Sequence, residues 1–177
     1  MLVLDKFLLI AHDSPPLQNV SQGRSFVSTD NTDKKTESDK PQFEMQHVYV
    51  KDISFESPYA PEIFQQKWEP KVSIDLNQEH KVLSSEAHEV ALMMTVTVKL
   101  GDKEAYIAEV KQAGIFTVRN FRDDQLDHFL QVFCPDLLYP YLRESISNLV
   151  IKGGFAPLYI APVNFEALFR KKRAAQS

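Results

Sequence analysis

Strict alternation of apolar and polar residues predicts β-strands in the centre of this chain. In Ala87–Leu100, every second residue from Val90 onward is a large apolar one, and smaller or polar residues lie between most of them. A period of two gives a half-buried strand one apolar face. The sequence Gly101-Asp102-Lys103 then predicts a tight connection, after which Glu104–Gln112 returns as a partner strand with the same alternation.

Two further strands are predicted on the N-terminal side of this pair. Phe43–Phe55 is rich in aromatic and β-branched residues, and Val72–Leu76 alternates apolar with polar residues. Pro58 and Pro61 break the chain between these strands, so we expect Phe64–Trp68 to be a short apolar crossing. The predicted sheet therefore has four strands.

The spacing of apolar residues changes to three and four after Gly114, which predicts helices. A first helix is expected at Asp123–Cys134, ended by Pro135, and a second helix is expected from about Leu138 to the pair Gly153-Gly154. Strands followed by helices indicate an α+β fold, in which an antiparallel sheet carries its helices on one face.

The segment Phe155–Val163 is apolar although its backbone cannot be regular. Pro157 and Pro162 exclude a helix or a central strand, and a simple linker would be polar. We therefore expect this segment either to cross a core or to line a groove before a last helix that reaches Phe169.

Charge and composition narrow the possible functions. The 177 residues are 44% hydrophobic and 25% charged, which is typical of one globular domain. The net charge of −4 is uneven, because residues 43–113 contain twelve acids and seven bases, whereas residues 114–177 contain six acids and eight bases. This distribution argues against nucleic-acid binding and predicts an acidic face over the first half of the fold. The single cysteine, Cys134, is consistent with a reducing compartment.

Residues 1–42 are expected to lie outside the folded domain. Met1–His12 is apolar, but Asp5 and Lys6 interrupt it and it is too short to span a bilayer. We interpret it as a loosely ordered leader or a short interfacial helix rather than a signal, and we expect no stable membrane insertion and a cytoplasmic location. Asp13–Pro41 is polar and lacks periodic apolar residues, so disorder is predicted.

No residue pattern predicts catalysis, a cofactor or a metal. The chain has no glycine-rich phosphate loop, and its five histidines lack the spacing of metal ligands. The acids near His128 are those expected in the first turn of a helix. Cys134, between Phe133 and Pro135, is expected to be an inert packed thiol. We predict that the protein is not an enzyme.

Three long motifs resemble the SecB family of protein-export chaperones. They are YVKDISFE at 49–56, FCPDLLYPYLRE at 133–144 and IAPVNFEALF at 160–169, and the likeness extends from Phe43 to about Phe169. The resemblance implies a four-stranded antiparallel sheet with a long helix and a C-terminal helix packed on one face. It also implies a chaperone domain at 43–169. Residues 170–177 are interpreted as a short basic tail, which departs from the longer polar or acidic tail of many relatives. The assembly would be a homotetramer, built as a dimer of dimers.

The same resemblance implies a function. SecB-like proteins hold unfolded precursor proteins in the cytosol without ATP and deliver them to the SecA motor, whose basic tail docks on an acidic outer sheet surface. The positions of this sequence that match that surface are Asp52, Glu56, Ile107 and Glu109. Ile107 and Glu109 are two residues apart on a strand, so both should project from the same face.

An apolar groove for unfolded clients is also expected, partly from the proline-broken segments. The candidates are Phe55, Trp68, Val72, Ile74, Phe116, Tyr141, Phe155, Leu158, Phe165 and Phe169. For each residue alone, ordinary core packing is the competing interpretation. Two other functions stay open: a SecB-like chaperone dedicated to one partner, such as a toxin–antitoxin pair, and an α+β oligomer that binds a small molecule.

Overall fold

The computed structural model describes residues 40–175. The predicted leader and nearly all of the predicted disordered segment lie outside these residues, and the domain boundaries stay predictions. The strands are β1 (Gln42–Glu56), β2 (Pro70–Val82), β3 (Ala87–Leu100) and β4 (Lys103–Arg119), and the α-helices are α1 (Asp123–His128), α2 (Cys134–Lys152) and α3 (Phe165–Ala174). A 3-10 turn covers Glu62–Gln65, and a π-helical turn covers Phe129–Phe133.

The strands form one antiparallel sheet in the order β1-β4-β3-β2, so β1 and β2 are its edges. With its helices on one side, the sheet confirms the predicted fold class. Strand β3 has the predicted bounds, but β4 continues to Arg119, so the expectation of helical spacing directly after Gly114 is wrong. Residues 114–119 stay extended because they pair with both β1 and β3, a long-range contact that local spacing does not report.

The two faces of the sheet differ sharply in polarity. On the face that we call the inner face, Val90, Leu92 and Val96 of β3 are completely buried, as are Ala108 and Val110 of β4. Helix α2 packs across this face over β3 and β4, and its own buried side includes Leu142, Ile146 and Val150. The outer face, directed away from the helices, carries the charged residues that lie between these apolar positions.

Pro135 does not end the helix that begins at Asp123, contrary to expectation. The chain passes through the π-helical turn instead, and the Cys134 amide donates to the Phe129 carbonyl. Pro135 has no amide hydrogen to give to the Leu130 carbonyl, and the Gln78 side chain of β2 donates to that carbonyl at 3.1 Å. The wider turn therefore accommodates the proline, and α2 continues to Lys152.

The segment between α2 and α3 both enters the core and reaches the surface. Phe155 and Ile160 are buried, whereas Tyr159 is 86% exposed. The Tyr139 hydroxyl donates to the Ala161 carbonyl at 2.7 Å and anchors the irregular backbone to α2. Helix α3 then begins after Asn164, whose side chain accepts from the Ala167 amide, and it includes the basic residues 170–173.

Candidate partner-binding surfaces

Antiparallel pairing of β1 with β4 brings the four predicted SecA-binding residues together on the outer face. Glu56 is in register with Ile107, and Asp52 is in register with Lys111, so Glu109 lies between them opposite Ser54. Ile107 is half-buried, and Asp52 and Glu56 are exposed. We call the surface formed by Asp52, Glu56, Ile107 and Glu109 the acidic face.

The carboxylates of the acidic face have no cationic partner among residues 40–175. Glu109 accepts from the Thr95 hydroxyl at 2.7 Å, and Asp52 accepts from the Ile53 amide at 3.0 Å, but both bonds are to neutral groups. Several other acids of the sheet are ion-paired: Glu79 with Lys111, Glu86 with Arg119, Glu89 with Lys51 and Glu104 with Lys99. The acidic face therefore has negative charge left for an external cation, beside the apolar side chain of Ile107.

Asp75 lies beside this surface, although neither a motif nor the family resemblance pointed to it. The register places Asp75 opposite Thr95, which in turn lies opposite Glu109, so the three residues form one row across the outer face. The period-two pattern of β2 had already put Asp75 on the polar side of its strand. Only the strand order, with β3 between β2 and β4, shows that this polar side continues the acidic face.

A second, internally neutralised cluster lies farther along the outer face. Lys51 donates to the buried Glu89 carboxylate at 2.8 and 2.9 Å, and the Tyr49 hydroxyl donates to the same group. The Lys51 hydrogen bond, followed by that of Tyr49, lowers the pKa of Glu89, and the hydrogen bond to Glu89 raises the pKa of Tyr49 to about 12. This cluster supports the fold and offers no free charge comparable to the acidic face.

An aromatic cluster occupies the other side of the sheet, where β1, the 3-10 turn and the end of α2 meet. Phe155 is at its centre, with ring centroids 4.7 Å from Tyr106, 5.0 Å from Phe64, 5.7 Å from Trp68 and 6.2 Å from Phe55. A cavity of about 250 Å³ opens between Ile63, Phe64, Trp68 and Phe155. We call this cavity and its rings the aromatic pocket.

The aromatic pocket joins three predicted client residues, Phe55, Trp68 and Phe155, and also contains Phe64, which was not among the predicted client residues. Phe64 is 51% exposed and Trp68 is 45% exposed, so the pocket is open to an incoming side chain. The signal for Phe64 was present, because it lies in the apolar crossing Phe64–Trp68. Its role became visible only when Phe155, distant in sequence, was placed against it.

Val72 and Ile74 continue the apolar surface along the edge strand β2. Both lie on the inner face, in register with the buried Val98 and Val96, yet they are 47% and 42% exposed because the helices do not cover this edge. The edge of β2 that is directed away from β3 has no strand paired with it among the described residues. An extended peptide could therefore pair with the β2 backbone and place alternate side chains on Val72 and Ile74.

The remaining client candidates are dispersed. Tyr141 is 47% exposed on α2, and Leu158 is half-buried beside a separate cavity of about 250 Å³. Phe165 and Phe169 are buried on α3. Phe116 is 0% exposed and packs inside the sheet–helix core, so the structure gives no surface on which it would touch a client.

The described part of the chain contains no arrangement that indicates catalysis. Between residues 40 and 175, no three side chains of His, Cys, Asp or Glu converge as metal ligands. Burial raises the pKa of the Cys134 thiol far above its usual range, which makes it a poor nucleophile. Within the same residues, no helix has both the length and the apolar character needed to cross a membrane.

Comparison with known proteins identifies the family of this chain. The family model described as SecB, preprotein translocase subunit SecB, matches residues 36–176. The protein-export protein SecB of Pseudomonas putida is 49% identical over 136 residues, which cover 77% of this chain and 84% of the relative. That of Pseudomonas fluorescens is 50% identical over 132 residues, covering 75% of this chain and 83% of the relative.

A solved structure shows the same fold at low sequence identity. The SecB-like chaperone of Mycobacterium tuberculosis, in complex with a peptide from an antitoxin, aligns with a TM-score of 0.58 and 14% identity over 68% of this chain and 90% of that chain. At this identity the likeness concerns the fold alone. The family match over most of the chain and the close export relatives carry the assignment: this chain belongs to the SecB family of protein-export chaperones.

Proposed function

We propose that this chain holds unfolded precursor proteins on the aromatic pocket and the β2 edge, and delivers them to SecA through the acidic face. The general activity follows from family membership: the protein is a cytosolic, ATP-independent export chaperone and not an enzyme.

The client assignment rests on apolar surface that the protomer leaves uncovered. Phe64, Trp68, Val72 and Ile74 are each more than 40% exposed, and they follow one another along the chain from the 3-10 turn into β2. Large contiguous apolar patches are unusual on the surface of a monomeric soluble protein unless they bind a partner. Rings and aliphatic side chains select for apolar character, and an edge strand binds backbone, so neither demands a particular client sequence.

The SecA assignment rests on one observation: three carboxylates without cationic partners among the described residues share the outer face with the half-buried Ile107. A partner segment that carries lysine or arginine beside an apolar residue would complement both properties. The unpaired charge would speed and orient the encounter, and burial of Ile107 would hold the complex.

Assembly into a tetramer is part of the same proposal. Val50 and Ile53 lie on the inner face of the edge strand β1 but are 44% and 49% exposed, and Ile151 of α2 is 49% exposed. A second protomer could cover these residues, and several client surfaces in one particle would increase the avidity for a long unfolded chain. Light scattering of the purified chain would report the number of protomers.

Charge reversal separates the two surfaces. The triple variant Asp52→Lys, Glu56→Lys, Glu109→Lys should weaken SecA binding at least tenfold, roughly the effect of losing three interface charges. A control variant, Asp102→Lys, Asp124→Lys, Glu144→Lys, removes the same charge from exposed positions outside the acidic face. Binding of a reduced, denatured precursor should be unchanged in both variants. Equal loss of SecA binding in the control, or joint loss of client binding in the test variant, would contradict the assignment.

The dedicated chaperone is the second candidate, and the structural neighbour that binds an antitoxin peptide is the observation that favours it. That neighbour shares the fold at 14% identity, whereas the export proteins are 49–50% identical. Binding of several unrelated unfolded chains with similar affinity supports export. Binding restricted to one partner would support the dedicated function.

A further inference from the structure

Two histidines that are eight residues apart meet on the inner face where β2 and β3 approach their connecting turn. The register pairs His80 with Val90 and His88 with Val82, which makes the two histidines diagonal neighbours across the strands. His80 Nε2 lies 2.9 Å from His88 Nδ1, and the ring centroids are 5.1 Å apart with the planes 27° from parallel.

The surroundings of this pair suit a cation. His88 is only 5% exposed, but His80 is exposed and faces a cavity of about 430 Å³. The carboxylate-bearing residues of the cavity wall are Glu79, Asp123 and Asp127, and its single lysine, Lys172, donates to Gln131 at 3.3 Å. Glu79 is already paired with Lys111, so Asp123 and Asp127 against Lys172 leave the cavity wall with a net negative charge beside the two imidazole nitrogens.

We propose that His80 and His88 form a two-histidine binding site for Zn²⁺, with water from the cavity completing the coordination. Imidazole nitrogen is a preferred zinc ligand, and a zinc–nitrogen distance of about 2.0–2.1 Å in tetrahedral geometry separates two nitrogens by about 3.3 Å. To become chelating ligands, the two nitrogens would move apart by about 0.4 Å and both rings would turn so that their lone pairs converge on the metal. Neither the acidic face nor the aromatic pocket contains these two side chains.

The competing interpretation is a simple hydrogen bond between two neutral imidazoles. In that state, the Nε2 atom of His88 is already buried without a hydrogen-bond partner among the described residues. When zinc binds Nδ1 of His88, the proton of the neutral ring is on Nε2, which is the atom that already lacks a partner. Metal binding therefore leaves no additional polar atom unsatisfied. It replaces a single hydrogen bond with two metal–nitrogen bonds that join β2 to β3.

Two ligands from the protein imply a modest affinity. Structural zinc sites have four protein ligands. Two ligands that supply half of the binding free energy of such a site correspond to a Kd on the order of 10 µM. Binding to the folded state alone should raise the melting temperature by about 3 °C at a free Zn²⁺ concentration ten times the Kd. The rank order of affinity should be Cu²⁺ above Ni²⁺ above Co²⁺, with no measurable effect of Mg²⁺, because nitrogen ligands follow that series.

The test is a titration of the untagged full chain with ZnCl₂, followed by calorimetry and by thermal unfolding. His80→Asn should weaken zinc binding at least tenfold; because it also removes the hydrogen bond to the buried His88 Nδ1, its metal-free melting temperature is recorded to show that the variant is folded. His88→Asn should have the same effect on zinc binding. The matched control is His47→Asn, since His47 is an exposed histidine on the outer face, opposite Ile115.

The outcomes are distinguishable. Loss of binding in His80→Asn but not in His47→Asn supports the site. Equal affinity of the unaltered chain and His80→Asn, or an equal loss in His47→Asn, would overturn it. Binding of denatured precursor and SecA is not expected to change in any of these variants, so the result is independent of the proposed chaperone surfaces.

Discussion

Replacing Gly153 by alanine would test whether the aromatic pocket is rigid. Gly153 follows α2 with φ −72° and ψ −1°, a conformation that any residue can adopt, so the backbone itself does not require glycine. A Cβ atom at this position would lie 2.1 Å from Cζ and 2.5 Å from Cε1 of Phe55. Contacts this short are impossible, so the Phe55 ring must move or the end of α2 must shift.

The size of the effect follows from what surrounds Phe55. Its ring stacks on Tyr106 at 5.6 Å and contacts Phe155 at 6.2 Å, and both of these rings are buried, so there is little room for it to move. Forcing extra volume into a packed cluster costs about 1–3 kcal/mol. For a chain of this length, a loss of about 2 kcal/mol lowers the melting temperature by about 4–8 °C.

Thermal unfolding at a fixed protomer concentration is the assay, because assembly makes the melting temperature depend on concentration. Phe55→Leu in the Gly153→Ala background should restore part of the loss by making space. The control, Gly101→Ala, has no atom within 4 Å of the added Cβ and loses only the conformational preference of its positive φ, +59°. An unchanged melting temperature for Gly153→Ala would show that the pocket is loosely packed and would refute the reasoning.

Three further predictions concern other parts of the chain. Trp68 is the only tryptophan, so its fluorescence should shift to shorter wavelength when a denatured client enters the aromatic pocket; a spectrum that stays constant at saturating client would place clients elsewhere. The pKa of Glu89 is lowered by Lys51 and Tyr49 from its usual 4.5, so its stabilising effect is present above pH 4.5 and is lost as the pH falls through the lowered value. The melting temperatures of the unaltered chain and Glu89→Gln should therefore differ by a constant amount above pH 4.5 and converge as the pH falls below it, and a difference that stays constant on acidification would contradict the assignment. Asn164→Ala removes the bond to the Ala167 amide at the start of α3 and should cost about 1 kcal/mol in a urea titration, whereas Asn164→Ser should retain most of the stability.

The spacing of apolar residues along the sequence determined the helices and strands wherever an element has one buried face and one solvent-exposed face. Ala87–Leu100 was predicted to the residue, because alternation of side chains between core and solvent is a property of the strand itself. The end of α2 at Gly153 was equally visible, since a glycine pair after a periodic run marks a helix end. Resemblance to a family, rather than periodicity, selected Asp52, Glu56, Ile107 and Glu109.

Contacts between residues that are distant in sequence decided the features that local spacing did not predict. Pairing with two neighbouring strands keeps residues 114–119 extended, and the Gln78 side chain satisfies the carbonyl that Pro135 leaves free in the π-helical turn. Burial of Phe116 and the meeting of His80 with His88 likewise depend on strand register, which moves a whole set of side chains from one face to the other if it slips by one residue. Local spacing shows which residues share a face, but only the packed sheet decides which faces and which charges become neighbours.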